Sequence, residues 1–272
     1  MPEFDCPKPI TVSLRAGGGT VDITAEERPT ALVDVSPYDD SDAARDVAAT
    51  ARVEMHGDTL TIAAPEPPGV WLWRRHARLR ITVRVPLDCV LALKISSADL
   101  SARGRFGTVS LGTASGDGYV EHIAGAASLK TASGDVTIDR VDGAVQVNSA
   151  SGDVAIGYAA EDVVIHAASG DVRIGRADAS VKVASASGDV DIASASRGEV
   201  RLKSASGDVS VGVAAGTGVW LDLSTTSGRA RSDLSMAEPP PSPGDADLHL
   251  HARSISGDIT VRRALSDQAA AA

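Results

Sequence analysis

The tripeptide Ser-Gly-Asp recurs at Ser115-Gly116-Asp117, Ser133-Gly134-Asp135, Ser151-Gly152-Asp153, Ser169-Gly170-Asp171, Ser187-Gly188-Asp189 and Ser206-Gly207-Asp208, at spacings of 18, 18, 18, 18 and 19 residues. A fixed short period is the mark of a solenoid or an array. Six residues before each Ser stand Val109, Ala127, Val145, Val163, Val181 and Val200; four before stand Leu111, Leu129, Val147, Ile165, Val183 and Leu202. Five after come Val120, Ile138, Ile156, Ile174, Ile192 and Val211. Apolar, largely β-branched residues alternate with polar ones in two short runs per repeat, which is the pattern of half-buried strands.

The Gly between the two runs turns the chain, and a second corner carries residues such as Asp142-Gly143. One repeat therefore reads strand, corner, strand, corner. Stacking brings each strand about 4.8 Å from its counterpart in the next repeat. One rung cannot bury its apolar face alone, so neighbours must supply the core. Propeller blades need about 40 residues each, and leucine-rich repeats carry a Leu/Asn signature missing here. The expected fold is all-β: a β-solenoid of 18-residue rungs with two main sheets.

Ser97-Ala98-Asp99 is a degenerate copy 18 residues before Ser115, and Ser227-Gly228-Arg229 and Ser256-Gly257-Asp258 are later copies. The solenoid is expected over residues 87–264, with Leu248–Val261 as its final rung. A Pro-rich surface loop is expected over 235–246 and a disordered tail over 265–272. Residues 1–86 are expected to form a β-rich cap with one short helix from Ser41, the N-cap, to Thr50. A cap is needed because an open solenoid end exposes unpaired strand edges.

The formal charge of −10 speaks against a nucleic-acid binder. No apolar run reaches the roughly 20 residues of a membrane-spanning helix, and no signal pattern opens the chain, so a cytoplasmic protein is expected. Cys6 and Cys89 are expected as free thiols.

The opening Phe4-Asp5-Cys6-Pro7-Lys8-Pro9-Ile10, the 18-residue Gly-Asp-Val repeats and the closing Ser256-Gly257-Asp258-Ile259-Thr260-Val261-Arg262-Arg263-Ala264 resemble a bacterial β-strand-repeat family of unknown function, common in actinobacteria and often labelled as adhesins. The resemblance covers nearly the whole chain. It implies the solenoid fold, and it brings no catalytic residues.

Three features bear on chemistry. Asp117, Asp135, Asp153, Asp171, Asp189 and Asp208 should stack at one corner. Like charges about 5 Å apart repel by roughly 0.8 kcal/mol per pair in water, so something must offset them. Either a column of divalent cations does so, Ca²⁺ being the natural one, or each carboxylate accepts backbone N–H groups at its turn. The single carboxylate per rung favours the second. Trp71, Trp73, Arg74, Arg75 and Arg78 concentrate interface-type residues in one segment of an aromatic-poor chain, and suit a partner protein or a peripheral membrane contact. His249 and His251 alternate on one strand and point outward; two ligands are too few for a metal site.

No Ser has a His at a recurring offset, so no nucleophile–base pair is built into the repeat. The expectation is a non-enzymatic scaffold or protein-binding module, without cofactor or metal. An envelope-associated adhesin, a Ca²⁺-binding solenoid and a carbohydrate-active solenoid enzyme are the alternatives.

Overall fold

A computed structural model describes residues 2–64, 78–235 and 246–264. They fall into two compact units, residues 1–138 and 139–272. The fold is a β-solenoid of parallel strands, with one helix among the described residues.

The first unit opens with β1 (Glu3–Asp5), β2 (Thr11–Glu26) and β3 (Thr30–Pro37), then helix α1 (Asp42–Thr50). Strands β4 (Arg52–His56), β5 (Thr59–Ala63), β6 (Arg78–Pro86) and β7 (Val90–Phe106) follow. Strands β8 (Val109–Thr113), β9 (Gly118–Ile123), β10 (Ala127–Thr131) and β11 (Val136–Val141) carry the regular repeat. The N-terminal run that alternates around Gly17-Gly18-Gly19 is one long strand, β2, bent across both faces of the stack. Its residues 11–15 pair in parallel with β5 and its residues 18–26 with β6. Its other edge pairs in parallel with β7, from Thr11↔Val90 to Thr24↔Arg103. Parallel pairing therefore reaches back to Thr11. The first full rung in the chain is the second in the stack.

Beyond that stack the pairing changes sense. β3 runs antiparallel to β6, β1 antiparallel to β3, and β4 antiparallel to β5. Antiparallel edges with a helix beside them interrupt the repeat that would otherwise invite another rung. Helix α1 begins where its cap predicts: the Ser41 hydroxyl accepts the Ala44 N–H at 3.2 Å, and Asp42 sits in the first turn.

The second unit continues with β12 (Val145–Ser149), β13 (Val154–Ala159), β14 (Val163–Ala167), β15 (Val172–Ala177), β16 (Val181–Ser187), β17 (Val190–Ala195), β18 (Gly198–Ser206) and β19 (Val209–Val213). Even-numbered strands stack on one face and odd-numbered strands on the other, each register advancing by one repeat, as in Val145↔Val163↔Val181↔Val200. Those valines, and the Ile165, Val183 and Leu202 column beside them, are buried.

The last strands are β20 (Val219–Ser227), β21 (Ala230–Ser232), β22 (Leu248–Ser256) and β23 (Ile259–Arg263). Here the sequence expectation is corrected. Leu248–Val261 is not the final rung: β22 pairs with β18 on one edge and β20 on the other, and β23 likewise joins β19 and β21. Composition explains the inversion. Leu248, Leu250, Ala252, Ile259 and Val261 are wholly buried, whereas Ala230-Arg231-Ser232 is exposed throughout and Val219, Leu221 and Leu223 are half-buried. The rung that could fill both faces of the core went inside, and the more polar copy went to the end.

Backbone contact sets the corner. A Cβ on Gly188 would collide with the Gly170 carbonyl oxygen one rung away, and Gly188 also sits at φ 117°. A left-handed backbone costs a residue with a Cβ about 1–2 kcal/mol, and forced overpacking adds roughly 1–3 kcal/mol. Gly188→Ala is therefore expected to destabilise the protein by about 2–5 kcal/mol. Urea denaturation against wild type reads this directly, and Ala205→Gly, at an exposed position in the neighbouring rung, serves as the mild control.

Candidate functional site

The Asp column is a backbone device, with a geometry the sequence did not show. Within each unit an Asp Oδ1 accepts the N–H of the equivalent residue in the next rung. Asp117 N–H donates to Asp99 at 3.2 Å and Asp135 N–H to Asp117 at 2.9 Å in the first unit. In the second, the donors Asp171, Asp189, Asp208 and Asp258 reach Asp153, Asp171, Asp189 and Asp208 at 2.8–2.9 Å. The ladder closes at Arg229, whose N–H reaches Asp258 at 2.8 Å. Arg229 occupies the Asp position in the end rung, where the described residues offer no further N–H to accept.

Arg173 offsets part of the repulsion, with its guanidinium 2.7 Å from Asp171 Oδ2 and 3.5 Å from Asp153 Oδ2. Losing one such acceptor costs about 0.5–1.5 kcal/mol. Asp189→Ala should lose that much, and Asp189→Asn, which keeps Oδ1, distinctly less. Melting curves with and without CaCl₂ should coincide; a column of bound cations would instead raise the midpoint.

Of the segment singled out by its Trp and Arg content, Trp71, Trp73, Arg74 and Arg75 lie outside the described residues. Arg78 opens β6, and its guanidinium lies 4.2 Å from the centroid of the Tyr38 ring. It is thus engaged within the protein, by a cation–π contact.

Rung insertion assembles another group of side chains. β22 lies between β18 and β20, so Glu199, His249 and Trp220 fall in one row, and Arg201, His251 and Asp222 in the next. The Trp220 ring centroid is 5.2 Å from that of His251 and 6.3 Å from that of His249. His251 Nδ1 lies 3.2 Å from Asp222 Oδ2, and its Nε2 lies 3.7 Å from Glu199 Oε1. Arg201 pairs with Glu199 at 2.6 Å, and Arg253 lies 3.7 Å from Asp222. The Arg201 guanidinium holds the Glu199 carboxyl below the ordinary carboxylate range. Sequence reading found the two histidines outward but missed the group, because Glu199, Trp220 and His249 are neighbours only once β22 inserts.

His251 Nδ1 is within hydrogen-bond distance of Asp222, while its Nε2 stands farther from Glu199, at 3.7 Å. Glu199 is pushed toward ionisation, the wrong direction for a general acid. Among the described residues no group of three or more His, Cys, Asp or Glu is placed to hold a metal ion.

The Toastrack DUF4097 family profile matches residues 12–262. The chain belongs to the Toastrack DUF4097 family. No curated protein matches it. Among solved structures, this Toastrack chain is similar to a protein from Parabacteroides merdae provisionally named an adhesin, at 10% identity and a TM-score of 0.40, over 96% of this chain and 94% of that one. It is similar also to a Parabacteroides distasonis protein provisionally named lipid-binding, at 13% identity and a TM-score of 0.41, over 96% and 95%. A second Parabacteroides distasonis protein, again provisionally named an adhesin, matches at 10% identity and a TM-score of 0.36, over 96% and 95%. At these scores none of the three bears on function. No helix among the described residues is long and apolar enough to cross a membrane.

Both cysteines are buried free thiols. Cys89 Sγ accepts the Ile10 N–H at 3.3 Å, and burial pushes its thiol up to about 11 from an ordinary 9.0. The folded state thus keeps a proton that the unfolded state loses first. The resulting stabilisation is whole below pH 9.0 and is lost as pH rises through about 11. Wild type should lose stability faster than Cys89→Ser across that window in denaturant titrations.

Proposed function

We propose that this Toastrack chain is a non-enzymatic binding scaffold whose working surface is the outward face of β18, β22 and β20. One observation carries the reading: aromatic, cationic and anionic side chains converge there on a rigid parallel sheet. Trp and Arg are the residue types enriched at binding hot spots, and a site carried by strands is held more firmly than one on loops. The Arg201–Glu199 and His251–Asp222 contacts hold these side chains in place, which supports a binding surface.

The experiment is capture of partners from lysate on immobilised wild type, beside a Trp220→Ala/His249→Ala double variant and an Arg173→Glu variant on the opposite face. A partner held by wild type and by Arg173→Glu but lost by the double variant is the expected result. Equal retention by the double variant would remove this face as the working surface.

A further inference from the structure

The same face extends beyond the aromatic group, and its outward positions are cationic over several rungs. Lys182, Arg201 and His251 share one row across β16, β18 and β22. Lys203 and Arg253 share the row two residues further along the strands, about 6.6 Å away. Lys182, Arg201, Lys203 and Arg253 are all exposed. Their neighbours in the rows are spaced by one rung, about 4.8 Å. The acids on this part of the face are Asp162, whose Oδ1 accepts the Ser180 N–H at 3.2 Å, with Glu199 and Asp222. In a chain of formal charge −10, these rows are a local reversal of sign.

We infer that this face takes an acidic polysaccharide laid along the solenoid axis, its anionic groups on Lys182, Arg201, Lys203 and Arg253 and a sugar ring against Trp220 and His249. The inference rests on the binding-scaffold reading above. Charge complementarity calls for an anionic partner. The rung spacing is close to the advance of one pyranoside unit in an extended chain, so successive sugars meet successive rungs along a row. A purely electrostatic polyanion has no use for the half-buried Trp220, and Glu199 and Asp222 would repel it; a sugar gives those carboxylates hydroxyl donors and gives the indole a ring to stack on. A lipid surface fits less well, because the outward positions nearest the corner are Ala186 and Ala205, with Ile255 the one large apolar side chain exposed there.

The test is calorimetric titration of the full chain with polygalacturonate, beside neutral dextran, poly-glutamate and phosphatidylglycerol vesicles. Polygalacturonate is expected to bind, more weakly as salt rises. Lys203→Glu and Trp220→Ala are each expected to weaken it about tenfold, the scale of one lost charge-assisted or stacking contact. Circular dichroism checks that both variants are folded, and Arg253→Glu stands in if either is not. Three outcomes overturn the glycan assignment: poly-glutamate binding as tightly with Trp220→Ala neutral, vesicles binding in place of the polymer, or no binding by any probe. If a partner is still captured through this face, the scaffold reading survives that loss; if capture fails too, both fall.

Discussion

Everything in this molecule depends on how closely one corner can sit on the next. At Gly134, Gly170, Gly188, Gly207 and Gly257 a Cβ would meet the carbonyl oxygen of the glycine one rung away, and at Gly116 that of Ala98. That contact leaves room for hydrogen alone and brings the backbones into ladder register. Once the corners superpose, each Asp finds the N–H of its own equivalent one rung on, and the valine and isoleucine columns line up behind them. Core, ladder and glycine column are three consequences of one spacing.

The corner is not uniform along the chain. At Gly116, Gly134 and Gly152 a hydroxyl two residues before the tripeptide, from Thr113, Thr131 or Ser149, brackets the turn by bonding both the N–H and the carbonyl of the glycine. At Gly170 that position is Ala167, and Gly170, Gly188, Gly207 and Gly257 adopt φ between 105° and 135°, whereas Gly228 in the end rung does not enter the left-handed region. The hydroxyls of Ser204 and Ser254, at the same position in later rungs, lie buried without a hydrogen-bond partner among the described residues. The bracket and the left-handed glycine are two solutions to one turn.

The period made the rung, its two strands and its register legible, since β-branched residues at fixed offsets admit one stacking. The Ser41 cap marked the helix, because a hydroxyl satisfying a first-turn N–H is a local signal. What could not be read was order at the ends. A repeat pattern says that two segments are equivalent, not which of them is adjacent to a third, and the segment between Ser232 and Leu248 is long enough to free the two from sequence order. The candidate site was invisible for the same reason: Glu199, Trp220 and His249 are scattered along the chain and meet only through the inversion. The Asp ladder was half legible. Its acceptor role followed from turn chemistry, but its donor lies one rung away, on the stacked equivalent.

Inversion of the last two rungs also sets a timetable. Translation delivers residues 219–232 before residues 248–263, yet among the described residues the only ladder partners of the earlier segment are β22 and β23. Until those arrive, the β18 and β19 edges and the aromatic ring of Trp220 have no native neighbours to meet. Growth of this stack therefore cannot simply follow the ribosome rung by rung. Its outermost layer waits for residues 248–263 to be made, and the Trp220 patch comes into being in the same step that seats that layer.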